Sequence, residues 1–292
     1  MSKSTELLYY NKTFFEQNNL TVPTTWDEME ALCRRIKEID PSCTPLAYDS
    51  ESNWFITMCE QLGTPYTSAT GEHYLFDNSD NHEFVKRFRE WYQNGYVTTQ
   101  EILGSYSSEI FKKQTCYMSI ASSAGATFQR PSQNSDGTYL FEVGIAPIPQ
   151  INPDNPKAIC QGPSLCLFKQ DNSQEVAASW LFMKFLTTNP EFQADFSITS
   201  GYMPVIESVR HIPLYDAFLN YESDTNITAY ALKTSFEQLN AFFTTPAFNG
   251  SSEARDEVRY LMAECLLLPP ENLDDAIRRA FASAVEKCKM YD

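Results

Sequence analysis

The sequence lacks the features of several common protein classes. Its 292 residues include 22 lysines and arginines against 38 aspartates and glutamates, which gives a net charge of −16. Nucleic acids and anionic membrane surfaces bind proteins that carry a basic footprint, so this charge argues against both as partners. No stretch approaches the roughly 18 consecutive apolar residues of a membrane-spanning helix.

Metal and disulfide motifs are also missing. The chain has three histidines, and none has metal-ligand spacing: His73, His82 and His211. None of its eight cysteines forms a C-x-x-C pair, which argues against a zinc ribbon or a thioredoxin-like site. The cysteines are scattered, so we expect buried thiols rather than a disulfide framework. We therefore expect no metal and no cofactor.

Apolar and aromatic residues are abundant. Hydrophobic residues make up 42% of the chain, enough for the core of two modest domains or one large one. Aromatic residues make up 14%, with 20 phenylalanines and 16 tyrosines. Most aromatics belong to cores, but those on loops suit flat ligands with polar edges, such as sugars.

The stretch from Ile159 to Pro204 has the clearest local pattern. The apolar segment Ser164–Phe168 predicts a buried strand. Apolar residues at helical spacing predict an amphipathic helix over roughly Gln174–Thr188, and the following Asn189-Pro190 ends it. Elsewhere, short apolar runs alternate with helical patterns, and no repeat or low-complexity linker interrupts them. This interleaving indicates an α/β protein.

Two motifs resemble one known family. The first is Leu-Tyr-Tyr-Asn-Lys from Leu8, followed by Phe-Phe and then Pro-Thr-Thr-Trp-Asp-Glu from Pro23; the second is a helix, Asn-Pro-Glu, another helix and Thr-x-Gly-Tyr-x-Pro from Thr199. Both are similar to extracellular solute-binding proteins of ABC importers, the maltose-binding-protein-like family, and more closely to its glycerol-3-phosphate-binding members. The resemblance runs in order from Leu7 to about Ala284. It implies a periplasmic-binding-protein-like (type II) α/β fold.

The resemblance also implies a domain organisation. Residues 1–165 and 213–292 correspond to the C-terminal lobe, and residues 166–212 to a segment that returns to the N-terminal lobe. Family members carry a signal peptide and a first lobe before the Leu-Tyr-Tyr-Asn-Lys motif, whereas Met1–Thr5 is a short polar start. We therefore expect a truncated chain of an extracellular or cell-surface protein, such as a lipoprotein.

The resemblance assigns ligand contacts to seven positions. They are Tyr10, Trp54, Ser122, Ser123, Gly162, Tyr202 and Arg255. The serines end a predicted strand, where backbone donors gather. Gly162 would let a ligand approach the backbone closely. Arg255 matches an arginine that grips phosphate in the glycerol-3-phosphate-binding relatives, a task that suits a planar guanidinium. Where many maltodextrin binders carry an aromatic residue, this chain has Ala124.

Ordinary structural roles stay open for these residues. Tyr202 could cap the edge of the core, Trp54 could pack inside it, and Arg255 could be a solvated helix residue. The expected function is nevertheless non-catalytic binding of a small solute, a sugar or oligosaccharide, for delivery to an ABC transporter permease. Binding of glycerol-3-phosphate or a glycerophosphodiester is the alternative.

Two other functional interpretations are disfavoured. A sugar hydrolase would need paired carboxylates, and the sequence singles out no such pair. A helical scaffold protein does not fit the interleaved strands.

Overall fold

A five-stranded mixed sheet forms the centre of the protein, of which a computed structural model describes residues 1–221 and 226–291. The strand order is β3–β2–β4–β1–β5. Strand β2 runs parallel to β3 and β4, whereas β1 runs antiparallel to β4 and β5. The carboxyl ends of β2, β3 and β4 therefore meet the amino end of β1 at one edge. The strands are β1 (Glu6–Asn11), β2 (Leu46–Tyr48), β3 (Val97–Thr99), β4 (Met118–Ser122) and β5 (Val143–Pro147).

Helices surround this sheet, and a small parallel sheet joins β6 (Ala158–Ile159) to β7 (Phe242–Phe243). The described helices are α1 (Lys12–Gln17), α2 (Trp26–Ile39), α3 (Glu51–Leu62), α4 (Ser79–Gln93), α5 (Gln100–Leu103), α6 (Ser108–Phe111), α7 (Ser173–Thr188), α8 (Pro190–Ser200), α9 (Pro213–Leu219), α10 (Ile227–Glu237), α11 (Ser251–Leu267) and α12 (Leu273–Cys288). Short 3₁₀ turns cover Ser123–Gln129, Glu207–His211, Leu239–Ala241 and Lys289–Tyr291. None of the described helices is both long and apolar enough to cross a membrane.

The largest core cluster is rich in aromatic rings. Trp26, Trp54 and Trp91 are at most 1% exposed, and the rings of Trp54 and Phe88 lie 4.3 Å apart. The aromatic stripe of α4 belongs to this core, where its Phe88 and Trp91 are buried. Burying each such ring removes a large apolar area from water, which is the main force that holds these elements together.

The start of α2 follows its sequence signals. The Thr25 hydroxyl accepts a hydrogen bond from the Glu28 N–H at 3.1 Å, and the Glu28 carboxylate accepts one from the Thr25 N–H at 3.2 Å. This reciprocal cap satisfies two backbone donors that an isolated helix end leaves unpaired. Six of the eight cysteines are buried, as the scattered spacing predicted, whereas Cys160 is half-buried and Cys166 is exposed.

The stretch before and within α7 is the least buried part of the described chain. The predicted buried strand Ser164–Phe168 is wrong, because this segment forms no strand and Phe168 is 78% exposed. A strand needs a neighbour for its backbone groups, and no described strand pairs with it. The predicted helix that follows is confirmed as α7, but none of its residues is buried. Several large apolar side chains of α7 face solvent: Trp180, Leu181, Phe182 and Phe185.

Candidate functional site

Polar side chains gather at the sheet edge where β2, β3 and β4 end and β1 begins. In open α/β sheets, ligands bind outside the carboxyl ends of parallel strands. Glu6 opens β1, Asp49 follows β2, and Ser122 closes β4 directly opposite Glu6 in the strand register. We call this region the polar edge, and define it by Glu6, Asp49, Asn53, Ser122, Ser123 and Arg255.

A chain of hydrogen bonds crosses the polar edge. The Glu6 carboxylate is buried and accepts hydrogen bonds from the Tyr48 hydroxyl at 2.6 Å and from Nδ2 of Asn53 at 2.8 Å. Oδ1 of Asn53 in turn accepts a hydrogen bond from Nη2 of Arg255. Arg255 itself is half-buried in the first turns of α11. The buried carboxylate is therefore linked to an accessible guanidinium through one amide.

Burial dominates the electrostatics of the two carboxylates. Loss of water raises the pKa of Glu6 to about 7, against the opposing effects of the Tyr48 and Asn53 hydrogen bonds and of the Arg255 charge. Burial also raises the pKa of Asp49, although its Oδ1 accepts the Ser107 N–H at 2.6 Å. The polar edge thus holds one carboxyl group that titrates near neutral pH.

The two predicted serines have different surroundings. Ser123 is fully buried, and its Oγ and N–H both bond the backbone of Thr5, at 3.2 and 2.8 Å. Its side chain is used within the protein. Ser122 is half-buried, and its carbonyl accepts the Tyr9 hydroxyl at 3.0 Å. Of the pair, Ser122 is the one that is partly exposed.

Three chain segments run side by side next to the polar edge. Lys3 exchanges backbone hydrogen bonds with Met203 at 3.1 and 2.7 Å, and Ser4 exchanges them with Gln161 at 3.0 and 2.8 Å. This arrangement brings the loop of Tyr202, which is half-buried, towards Ser123. The neighbouring Gly201 has a φ of +75°, and a side chain there would meet the backbone of Ala124.

Gly162 permits a close approach, but the approaching group belongs to the protein. Its φ is +117°, and a Cβ added there would lie 2.4 Å from the carbonyl oxygen of Ser2. Any other residue would push this segment away from the amino-terminal one. On this face the backbone of Ser2 makes the close approach, and a ligand contact at Gly162 stays a prediction.

Two other predicted contacts are not exposed at the polar edge. Trp54 is 0% exposed, and its ring stacks on Tyr48 at 4.9 Å, so its placement is the core-packing alternative and not a solute-lining one. Tyr10 lies four residues along β1 from Glu6, roughly 13 Å away at the usual rise of a strand. Its ring covers Gly144 of β5, where an added Cβ would be 2.0 Å from the Tyr10 Cζ.

Tyr10 instead lines a separate cavity of about 830 Å³. Its neighbours there include Tyr230 and Lys233 of α10. The structure therefore brings Ser122, Ser123, Tyr202 and the backbone at 162 towards one region, with Arg255 joined to it through Asn53 and Glu6. It does not bring Tyr10 there, and it buries Trp54, the neighbour of Asn53, in the core.

Sequence reasoning missed several residues of this region. Glu6 is the one acidic residue at the head of an apolar run, and Asp49 directly follows a short strand, so both had a weak signal. Gln238 had none, yet its Nε2 donates to Oγ1 of Thr5 at 3.1 Å and to the Glu6 carbonyl at 2.9 Å. Tyr106, which precedes the Ser107 that bonds Asp49, is 62% exposed.

Unused hydrogen-bonding capacity remains beside the polar edge. Among the buried polar atoms without a hydrogen-bond partner in the described part of the chain are Oγ of Ser2, Nε2 of Gln161 and Oε1 of Gln238, which belong to segments beside this edge. Buried polar atoms are almost always satisfied in folded proteins, so such a group indicates a place for a polar ligand or water. Over the same residues, no group of three or more His, Cys, Asp or Glu side chains could hold a metal ion.

The arrangement defines a class of protein: an α/β fold of the periplasmic-binding-protein type, with polar residues gathered at the edge where parallel strands of its sheet end. The chain belongs to the bacterial extracellular solute-binding proteins, whose family model matches residues 1–228. These are the binding proteins of ABC importers. No curated protein sequence matches the chain significantly. The family predicted from the two motifs is confirmed, and so is the fold class.

Solved structures of the same fold cover nearly the whole chain. Mycobacterium tuberculosis UgpB in complex with glycerophosphocholine has a TM-score of 0.75 at 18% identity, over 99% of this chain and 69% of that one. The sugar-binding protein MalE from Xanthomonas citri has a TM-score of 0.74 at 20% identity, over 99% and 70%. The cyclic α-maltosyl-1,6-maltose binding protein from Arthrobacter globiformis has a TM-score of 0.72 at 19% identity, over 99% and 71%.

Proposed function

We propose that the protein binds a sugar or oligosaccharide at the polar edge, without chemical change, for delivery to an ABC transporter permease. The observation that carries this proposal is the linked set of donors and acceptors formed by Glu6, Asn53 and Arg255 beside unpartnered buried polar atoms. Sugar hydroxyls both donate and accept hydrogen bonds, so they suit the half-buried Ser122 hydroxyl and the half-buried Arg255 guanidinium beside this buried set.

Aromatic side chains near this edge supply the apolar surface that a sugar site also needs. Tyr202 is half-buried on its loop, and Tyr106 is 62% exposed beside the residue that bonds Asp49. A tyrosine ring can pack against the apolar face of a sugar while its hydroxyl stays in contact with water. Two of the similar structures are described as sugar- or maltosyl-maltose-binding proteins, which agrees with this ligand class.

Binding of a glycerophosphodiester is the second candidate, and Arg255 favours it. The guanidinium is half-buried near the amino end of α11, where the helix dipole also attracts anions. The similar structure of UgpB holds glycerophosphocholine. Against this candidate, two carboxylates share the polar edge with the one arginine. We therefore place the neutral sugar first.

The location and lobe organisation remain proposals that rest on the family. We propose an extracellular or cell-surface location, as the family description states for its members. We also propose that residues 1–165 and 213–292 form one lobe and that residues 166–212 pack against another. The exposed apolar side chains of α7, among them Leu181 and Phe182 at 64% each, support a covering partner for that segment.

Calorimetric titration with a ligand panel tests the proposed function. The panel contains neutral mono-, di- and trisaccharides, glycerol-3-phosphate and glycerophosphodiesters. We expect saturable binding of at least one neutral sugar, weakened by Ser122→Ala. Ser42→Ala, which alters an exposed serine after α2, is the matched control. A folded protein that binds only phosphate-bearing ligands would replace the first candidate by the second, and release of smaller sugars would indicate hydrolysis.

A further inference from the structure

Glu6 is a buried carboxylate that the proposed sugar contacts do not use directly. It belongs to β1, while its hydrogen-bond partners come from β2 and α3. The residue opposite it in β4 is Ser122, which is neutral. The charged or titratable groups that face it are Tyr48 and Asp49 from the end of β2 and Arg255 from α11. Gln238 contacts only its backbone carbonyl.

We propose that Glu6 is a positioning residue that determines which ligand charge the polar edge accepts, by orienting Arg255 through Asn53 and by balancing its charge. This inference rests on the proposed function, because it takes the polar edge as the solute site. It adds that Glu6 decides between a neutral and an anionic ligand, and that this ligand preference changes with pH.

The orienting role follows from the chemistry of an amide. Nδ2 of Asn53 can only donate, and it points at the Glu6 carboxylate, so Oδ1 must point the opposite way. That oxygen receives the Arg255 guanidinium. If Glu6 could not accept this hydrogen bond, the amide would be free to turn and would present donors to a cation. Glu6 therefore holds Arg255 in place without touching a ligand.

The balancing role follows from charge. With Glu6 ionised, its negative charge adds to that of Asp49 and opposes that of Arg255, which disfavours an anion. With Glu6 protonated, one negative charge is removed, so the guanidinium attracts an anion more strongly. Tyr48 can then rotate its hydroxyl to accept the new proton, so Asn53 keeps its orientation. Because the pKa of Glu6 is raised to about 7, this change falls within the neutral range.

The test compares a neutral and an anionic ligand as pH varies. Glycerophosphoglycerol carries one negative charge that does not titrate between pH 5.5 and 8.5, and maltose carries none. By calorimetry, we expect the affinity of the parent chain for the phosphodiester to rise about tenfold, or ~1.4 kcal/mol, from pH 8.5 to 5.5. Its affinity for maltose should stay constant.

Two variants assign the effect to Glu6. Glu6→Gln can still accept from Asn53 while donating to Tyr48, so phosphodiester binding should become independent of pH. Tyr48→Phe removes a hydrogen bond that holds the pKa of Glu6 down, so the midpoint of the pH dependence should move to higher pH. If Glu6→Gln fails to fold, the midpoint of the pH dependence in Tyr48→Phe decides whether Glu6 is the titrating group. Glu109→Gln, an exposed carboxylate paired with Lys112, is the control.

The outcomes distinguish failure of the role of Glu6 from failure of the proposed function. Binding that shows no pH dependence in the parent chain, or the same dependence in Glu6→Gln, overturns the role of Glu6 and leaves the proposed function standing. An unmoved midpoint in folded Tyr48→Phe overturns it as well. If neither ligand nor any member of the wider panel binds at any pH, the proposed function fails and this inference fails with it.

Discussion

Replacing Glu6 by glutamine should remove a measurable pH dependence of stability, even without any ligand. The pKa of this carboxyl rises from its ordinary value of 4.5 to about 7 in the folded protein, chiefly because burial removes its water. The folded state therefore holds the proton more tightly than the unfolded state does. The resulting stability is fully present below pH 4.5 and is lost as the pH rises to about 7.

The magnitude follows from the same values. At about 1.4 kcal/mol for each pH unit between the unfolded and folded pKa values, the free energy of unfolding should fall by about 3 kcal/mol between pH 4.5 and 8. That is a large part of the 5–15 kcal/mol typical of folded proteins. Asp49, whose pKa is also raised by burial, contributes in the same direction in both proteins, so the curve of Glu6→Gln should be flatter but not level.

Urea denaturation followed by tryptophan fluorescence provides the assay. The parent, Glu6→Gln and the control Glu109→Gln would each be measured at several pH values from 4.5 to 8.5. Carboxyl groups with lowered pKa values, such as Glu28 and Asp40, titrate below this window. We expect the parent and the control to lose stability in parallel and the Glu6→Gln curve to be flatter. Parallel curves for the parent and Glu6→Gln would refute the assignment of a strongly raised pKa to Glu6.

Three further predictions follow from the structure. Arg255→Ala should weaken binding of a phosphodiester by about ten- to a hundredfold, because a charge-assisted contact contributes roughly 1.5–3 kcal/mol, and Arg255→Lys should recover only part of that affinity. The affinity for a neutral sugar should fall only several-fold, and an unchanged affinity for the phosphodiester would rule out the second candidate. Trp54→Ala should cost about 3–5 kcal/mol of stability by opening a cavity, measured by urea denaturation, while a ligand-induced fluorescence change from other tryptophans persists. Light scattering should show that the parent chain associates as its concentration rises, because α7 exposes a large apolar surface. The double variant Leu181→Glu with Phe182→Glu should associate less, and a strict monomer for both the parent and the variant would contradict the prediction.

The sequence by itself determined the local elements and the family. Helix α2 could be predicted because its cap at Thr25 and Glu28 and its apolar spacing are local signals. The stripe of Phe88 and Trp91 likewise indicated a buried helix face. The family followed from two motifs whose residues lie close together along the chain. Such features need only neighbouring residues to be read, since backbone propensity, capping and periodicity act over a few positions.

Only the tertiary structure decided which residues come together at the polar edge. Asn53 meets Glu6 across 47 positions and Arg255 across 202, and no local pattern encodes those meetings. Trp54 is buried while Tyr202 stays partly accessible, although both are aromatic residues near element ends. The apolar segment Ser164–Phe168 forms no strand because a strand also requires a partner, which local composition cannot supply. Long-range strand order and packing fixed which side chains share the polar edge and which are hidden from it.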